Sequence, residues 1–449
     1  VVASLTVSRV PSRRRRVELG LGLVALAITT FGYLLVQLSD SPDLPPGLWA
    51  LLAVVAGLFV VAHLAVRRFA PHADPTLLPL VVFLTGFGFV MISRLDHDLA
   101  RTQAVWAAVG VAAFVVTLVV VKRVRTLERY RYTFLLLGVV ALLLPLVPGV
   151  GAEINGARLW VRAGPFNFQP GEAAKVLLVV FFAAYLVDKR ELLSAGSRQF
   201  GRLSLPSAKY LGPLLLVWGA SILIMVRQKD LGSSLLFFTV FAAMLYISTD
   251  RGSYLFISLV LFIGGATVAY QLFGHVQERV STWVDPWPVA QSTGYQLVQS
   301  MFALGSGGVA GSGLGLGSPK VIPNVATDFV ISAIGEELGI VGAIAVIAAI
   351  VLLCASGYRI AVQANRPFSK LFAAGLTTII GVQTFVIIGG CIRVIPLTGV
   401  TLPFVSYGGS SLVANFVILA LLLRISNDNA LQSPAAGSPV GTVATGADR

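Results

Sequence analysis

Long apolar runs dominate the chain, broken by short segments rich in basic residues, glycine and proline. A bilayer core is about 30 Å thick, so a helix crossing it needs about 20 apolar residues. By that rule the sequence predicts twelve spans, near 19–38, 47–66, 76–93, 103–121, 133–148, 173–187, 210–226, 232–248, 254–273, 329–354, 371–392 and 409–424. The pattern therefore predicts an all-α, polytopic helix bundle. Pro206, Pro213 and Pro367 fall at or near predicted helix ends, and Pro145 ends its helix rather than interrupting it. The first run follows Arg13-Arg14-Arg15-Arg16, as a secretory leader would. It is long and no small-residue cleavage site precedes the next run, so it reads as a retained helix.

Composition agrees. Of the 449 residues 56% are hydrophobic and only 12% charged, about half the share typical of soluble domains. A net charge of +13 would suit a nucleic-acid binder, but the basic residues sit in short clusters between apolar runs, where they set membrane orientation. Counted on alternate sides of the predicted spans, Lys and Arg divide 23 to 10, which puts both termini in the cytoplasm. Cys354 and Cys391 fall near opposite ends of neighbouring spans, too far apart for a disulfide. His63, His72, His97 and His275 are scattered, so a histidine-based zinc site is not expected.

Two exterior stretches are long, 149–172 and 274–327. The second holds a glycine-rich run from Gly305 to Gly317 together with Trp283, Trp287, Tyr295 and Phe302, so it is expected to lie against the membrane surface. It has no Walker or dinucleotide pattern. The segment after Asn427 is rich in Gly, Ala, Ser, Pro and Thr and reads as a disordered tail.

Polar residues that could carry chemistry gather at exterior helix ends. Asp328 begins the tenth span, where a carboxylate also has a plain structural role as partner of the helix dipole. Glu336 and Glu337 follow about 12 Å deeper at 1.5 Å per residue, which predicts a helix lining a polar cavity with Asp328 at its mouth. Glu172 and Lys175 stand one turn apart at the start of the sixth span, preceded by Arg158, Trp160 and Arg162. Lys229 and Asp230 open the eighth span, Arg393 closes the eleventh, and Ser406 lies just before the twelfth. A carboxylate among several cations suits a transfer reaction with an anionic leaving group.

The same residues carry a family resemblance. In order, the chain contains Gly156-Ala157-Arg158-Leu159-Trp160, Phe168-Gln169-Pro170-Gly171-Glu172-Ala173-Ala174-Lys175, Lys229-Asp230-Leu231-Gly232 and Gly294-Tyr295-Gln296. Thr327-Asp328-Phe329, Gly335-Glu336-Glu337-Leu338-Gly339, Pro396-Leu397-Thr398-Gly399-Val400 and Pro403-Phe404-Val405-Ser406-Tyr407-Gly408-Gly409-Ser410 follow. Over 74–426 the chain thus resembles the SEDS family of RodA/FtsW-type peptidoglycan glycosyltransferases, the RodA side more closely. Where many relatives have Glu-Ala-His before Thr-Asp-Phe, this chain has Asn324-Val325-Ala326.

The resemblance implies a ten-helix polymerase core in the bacterial plasma membrane, preceded here by two extra helices over 19–66 and a basic cytoplasmic tail over 1–18, with a disordered tail over 427–449 and a large extracellular loop over 274–327. It implies polymerisation of lipid II at the outer membrane face in cell elongation, with Asp328 as the essential carboxylate in preference to Asp285. Inverting transfer would release polyprenyl pyrophosphate. Arg158, Trp160, Glu172, Lys175, Lys229, Asp230, Glu336, Arg393 and Ser406 are the expected substrate-binding residues. A divalent cation, Mg or Mn, could use Asp328, Glu172 or Asp230, although no spacing demands one. Implied partners are membrane lipid and a class B penicillin-binding protein transpeptidase, with no nucleic acid. A lipid-linked oligosaccharide flippase is the alternative from another class, since many helices with intramembrane charges fit a transporter too.

Overall fold

The computed structural model describes residues 12–40, 48–154, 156–164, 166–194, 198–200, 203–205 and 208–432. Its helices are α1 (Ser12–Asp40), α2 (Leu48–Phe69), α3 (Leu77–Leu95), α4 (His97–Val120), α5 (Arg125–Arg129), α6 (Arg131–Leu143), α7 (Pro170–Asp188) and α8 (Arg190–Ser194). The second half adds α9 (Ala208–Arg227), α10 (Leu231–Thr249), α11 (Gly252–Leu272), α12 (Gly274–Val284), α13 (Tyr295–Gly307), α14 (Val330–Gln363), α15 (Pro367–Cys391) and α16 (Gly409–Gln432). Ten of these are long and apolar enough to cross a membrane, and the shorter apolar helices α6 and α9 occupy the other two predicted spans. The chain is a polytopic membrane helix bundle.

Apolar residues on every side put α7, α15 and α16 at the bundle centre, whereas α11 is almost wholly exposed to the surrounding lipid. α7 and α10 both pack against α15. Gly375 permits that approach: a Cβ there would lie 2.8 Å from both Met244 Sδ and Val179 Cγ1. α1 packs along α3, with Tyr33 stacked on Phe89 at 5.8 Å, while α4 packs against α2 and α16.

Two small antiparallel sheets depart from the all-helical pattern. β1 (Gly151–Ile154), β2 (Ala157–Ala163) and β3 (Phe166–Phe168) form one, and β4 (Arg198–Phe200) and β5 (Leu203–Leu205) the other. Both lie between apolar helices, where the backbone must find partners without a helix. The stretch 149–172 is thus a folded cap rather than a loop, and 274–327 contains α12 and α13.

α14 differs most from expectation. At Gly339 the backbone turns to φ 66°, ψ −167°, a conformation open to glycine, and breaks the helix in two. The part after the break, 340–363, is about 36 Å long at 1.5 Å per residue, enough to cross the bilayer alone. Residues 330–338 form a separate short helix at one end. Glu336 and Glu337 lie at the break, not deep within a span.

At the opposite end, polar side chains fasten the helices. Arg424 is buried and donates to the carbonyls of Phe69 (2.7 Å) and Leu118, near the ends of α2 and α4. His72 N donates to Asn427 Oδ1 and Asn429 Nδ2 to Ile360 O, both at 3.0 Å, which prolongs α16 to Gln432. Residues 427–432 of the expected tail are therefore helical; 433–449 lie outside the described residues, as do 1–11 of the expected N-terminal tail, whose residues 12–18 are helical. Arg424→Leu orphans the buried Leu118 carbonyl, at about 1–3 kcal/mol, and the half-buried Phe69 carbonyl. We expect a lower thermal unfolding midpoint in detergent, and an unchanged midpoint would contradict this fastening role.

Candidate active site between two cavities

Polar residues from seven parts of the chain, Arg279 of α12 among them, meet in a cavity of about 460 Å³. The β1–β2–β3 cap contributes Ile154, Leu159, Trp160 and Asn167, α4 contributes Thr102 and Trp106, and the start of α7 contributes Glu172. Lys229 and Asp230 come from the α9–α10 turn, Asp328 from the approach to α14, and Thr398 to Ser411 from the segment entering α16.

Local sequence explains these placements. Asp230 caps α10, its Oδ1 accepting Ser233 N at 2.9 Å, while Gln228 Nε2 donates to Leu142 O at 2.6 Å. Between these anchors Lys229 takes a left-handed conformation, φ 63°, which costs a non-glycine residue about 1–2 kcal/mol. Lys175 is buried behind the cavity. It pairs with Glu172 at 2.7 Å and donates to Gln383 Oε1 at 3.0 Å, and Gln383 Nε2 donates in turn to Thr401 O at 2.8 Å. This chain fixes Glu172 and the loop that forms the opposite wall.

Asp328 stands two residues before α14 begins, so it is not the first-turn dipole partner the sequence suggested. Its backbone N–H donates to Asn324 O at 3.0 Å, and Cys391 Sγ donates to its carbonyl at 3.2 Å. Its half-buried carboxyl forms no ion pair among the described residues. Burial pushes its pKa up to about 6, opposed in part by the Thr327 hydroxyl and the Arg279 charge. Burial likewise raises the Asp230 carboxyl above its ordinary value, against the bond from Ser233.

A second cavity, about 370 Å³, lies on another side of Asp328 and is lined by Glu278, Thr282, Trp283, Thr293 and Gln296. Asp328, Asn324, Arg279 and Gly399 line both. Arg279 also borders a third, largely apolar hollow of about 310 Å³ among α9, α10, α11 and α12. Its Nη1 donates to Leu397 O and Thr398 O, each at 3.1 Å. Arg279 is thus the cation where all three spaces meet.

Of the residues expected from sequence, Trp160, Glu172, Lys229, Asp230 and Asp328 line the first cavity. Several others do not. Arg158 is exposed on the cap and pairs with Glu153 at 3.1 Å. Arg393 donates from Nε to Trp283 O at 2.8 Å, tying α12 to α15, and Ser406 Oγ accepts Leu402 N at 3.0 Å inside its own loop. Glu336 Oε1 accepts Ser318 N at 2.6 Å and Glu337 pairs with Arg94 at 3.1 Å, so both hold the glycine-rich loop instead of lining a cavity beneath Asp328. The alternative carboxylate, Asp285, is exposed and accepts Trp287 N at 3.3 Å.

The sequence reading missed Arg279 and Trp106. Arg279 sits on the amphipathic helix inside the presumed loop, and Trp106 stands one turn from Gln103 and Thr102 in an apolar span, a polar grouping that could have flagged it. No three His, Cys, Asp or Glu side chains converge as metal ligands among the described residues, and Glu172 already has Lys175 as its cation.

The FtsW/RodA/SpoVE family model, described as cell cycle protein, matches residues 73–431. The peptidoglycan glycosyltransferase RodA of Mycobacterium tuberculosis is 45% identical over 425 residues, covering 92% of this chain and 91% of the relative. That of Mycobacterium leprae is 43% identical over 448 residues, covering 97% and 96%. Among solved structures, a chain of a peptidoglycan synthase complex that coordinates polymerization and crosslinking aligns with TM-score 0.65 at 29% identity, covering 80% of this chain and 98% of that one. The rod shape determining protein RodA of Thermus thermophilus aligns with TM-score 0.55 at 28% identity, covering 80% and 97%.

The left-handed backbone at Lys229 generates a stability prediction. Lys229→Gly relieves that backbone and is expected to hold or raise the thermal midpoint. A clear fall would show that the lysine side chain supports the fold instead of serving the cavity.

Proposed function

This chain belongs to the FtsW/RodA/SpoVE family and is a multi-pass peptidoglycan glycosyltransferase; from that premise we propose that it polymerises lipid II with Asp328 as general base. The observation that carries this reading is the position of Asp328 on the wall shared by two cavities, its carboxyl raised to about 6. A polymerase must hold a donor and an acceptor at once, with the base between them. A carboxylate near 6 is ionised at neutral pH yet basic enough to take a hydroxyl proton.

In the proposed reaction the Asp328 carboxylate takes the proton from the 4-hydroxyl of the acceptor's GlcNAc. That oxygen bonds to C1 of the MurNAc at the lipid-linked end of the growing strand. The C1–O bond to phosphate breaks on the opposite face, its electron pair leaving with the polyprenyl pyrophosphate, so the anomeric centre inverts. Arg279 and Lys229 offset the developing phosphate charge. The apolar hollow beside Arg279 accommodates the first part of the polyprenyl chain, and Trp106 and Trp160 offer apolar walls to the sugar rings. Lys175 acts from behind by fixing Glu172, while Arg158, Arg393, Ser406 and Glu336 keep the structural roles described above.

The surplus of Lys and Arg on one side supports cytoplasmic termini, with both cavities on the outer face. A class B penicillin-binding protein is the proposed partner and cell elongation the proposed setting. The alternative, a flippase, requires a polar path through the bundle, whereas beyond Lys175 the small hollow at the centre is walled by Val179, Phe182, Phe237, Val240 and Ile379. Labelled lipid II in sealed proteoliposomes separates the two: a flippase moves substrate across without forming polymer.

Asp328→Asn should lower the rate of lipid II polymerisation by about 10² to 10⁴-fold while the protein stays folded. Full activity in that variant would sink the assignment. The base works only when ionised, so kcat/KM of the wild type should fall as pH drops through about 6 and level off above it. A profile flat between pH 5 and 8 would place the essential proton elsewhere.

A further inference from the structure

The family match begins at residue 73, after α1 and α2 have ended. The two extra helices are nevertheless built into the bundle. At one end of α1, Arg15 bonds to Glu18 and to Ala73 O, and Glu18 Oε1 meets His63 Nδ1 of α2 at 2.7 Å. Along its length α1 lies on α3. At the other end Ser39 sits against the backbone of Gly315 so closely that a Cβ on Gly315 would overlap Ser39 Oγ and lie 2.7 Å from Ser39 Cβ.

Gly315 is the point where the glycine-rich loop is gripped. Its N–H donates to Glu337 Oε2 at 3.0 Å and its carbonyl accepts Arg94 Nη2 at 2.9 Å. Arg94 Nη2 also donates to Gly317 O at 3.0 Å, while its Nε donates to Glu337 Oε1 at 3.1 Å. Glu337 is fully buried and Arg94 nearly so, and with these bonds both charges are satisfied. The loop then closes over the break in α14: Ser312 N and Gly313 N donate to the carbonyls of Glu336 and Glu337, each at 2.9 Å, and Ile340 N donates to Gly308 O at 3.0 Å. Glu337 lies in the last turn of the short helix 330–338, and Asp328 stands two residues before its start.

We propose that α1 braces the helix behind Asp328 through the junction Ser39–Gly315–Arg94–Glu337, so that Arg94 and Glu337 are positioning residues for the transfer reaction. The extra helices then belong to the catalytic apparatus and are not only membrane anchorage. A short helix free to tilt would shift the carboxyl at its near end, and a displacement of about 1 Å is enough to cost about 100-fold in rate. This inference rests on the reading of Asp328 as the base.

The test compares two glycines of one loop in lipid II polymerisation. Gly315 has φ +86° and faces Ser39; Gly313 has φ +106° and a Cβ there would first meet the Leu316 side chain, at 2.9 Å. Both alanine substitutions strain the backbone, but only Gly315→Ala presses on α1. Gly315→Ala should lower kcat by about 100-fold with KM little changed, and should shift the acid limb of the pH profile. Gly313→Ala should lose far less. Ser39→Gly removes the α1 side of the contact and should by itself lower kcat, though less than Gly315→Ala; combined with Gly315→Ala it should restore much of the lost kcat, and combined with Gly313→Ala none of it. Arg94→Lys keeps the charge but cannot reach three acceptors, so it should lower kcat in the same way and serves if Gly315→Ala does not fold. Equal losses at the two glycines, no rescue by Ser39→Gly, or wild-type kcat in Arg94→Lys would each overturn the brace. Asp328→Asn run alongside separates the failures: activity there sinks the base, whereas an inactive Asp328→Asn with an ordinary Gly315→Ala sinks only the brace.

Discussion

A charge removed from water inside a membrane bundle must be given a partner, and this requirement organises the polar interior of the protein. Glu337 has Arg94, Glu172 has Lys175, Glu18 has Arg15, and Arg424 has two backbone carbonyls. Arg94–Glu337 and Arg424 join segments distant in sequence, while the one-turn pairs Arg15–Glu18 and Glu172–Lys175 reach distant segments through Ala73, His63 and Gln383, so satisfying the charges also fixes the helices. Asp328 differs: its carboxyl has the Thr327 hydroxyl but no ion pair among the described residues, and the nearby cation, Arg279, gives hydrogen bonds to the carbonyls of Leu397 and Thr398. The carboxyl is left raised and open to a ligand on two sides.

The same contrast separates support from chemistry among the other polar groups. Lys175 and Gln383 set the wall of the first cavity without lining it, and Arg393 ties α12 to α15 beside the second. Lys229, Asp230 and Arg279 face the cavities directly. The left-handed backbone at Lys229 and Asn324, both at the first cavity, suggests that strain is tolerated there for the sake of placement.

Much of this was legible in the sequence. Apolar run length alone gave the helices and their order, since the bilayer sets a length that a soluble fold does not. The motifs pointed to Asp328, Asp230, Glu172, Lys229 and Trp160, all found around one cavity. The misplacement of Glu336 and Glu337 comes from extrapolating a straight helix. Glu336 and Glu337 were placed deep in a span because nothing local shows that Gly339 turns to φ 66° instead of continuing the helix. Arg279 was overlooked because 274–327 read as loop, whereas its amphipathic helix is folded against the site. Arg158 shares a motif and a face of β2 with Trp160, but its long side chain is exposed and turns to Glu153, which run length cannot report.

If Asp328 is a base at the junction of two substrate sites, it never becomes bonded to the sugar. Intact-protein mass spectrometry of the enzyme, incubated with a lipid-linked donor and an acceptor whose GlcNAc 4-hydroxyl has been removed, tests this most directly. A single-displacement enzyme leaves the protein mass unchanged. A glycosyl adduct mapped to Asp328 would make that residue a nucleophile and contradict the account.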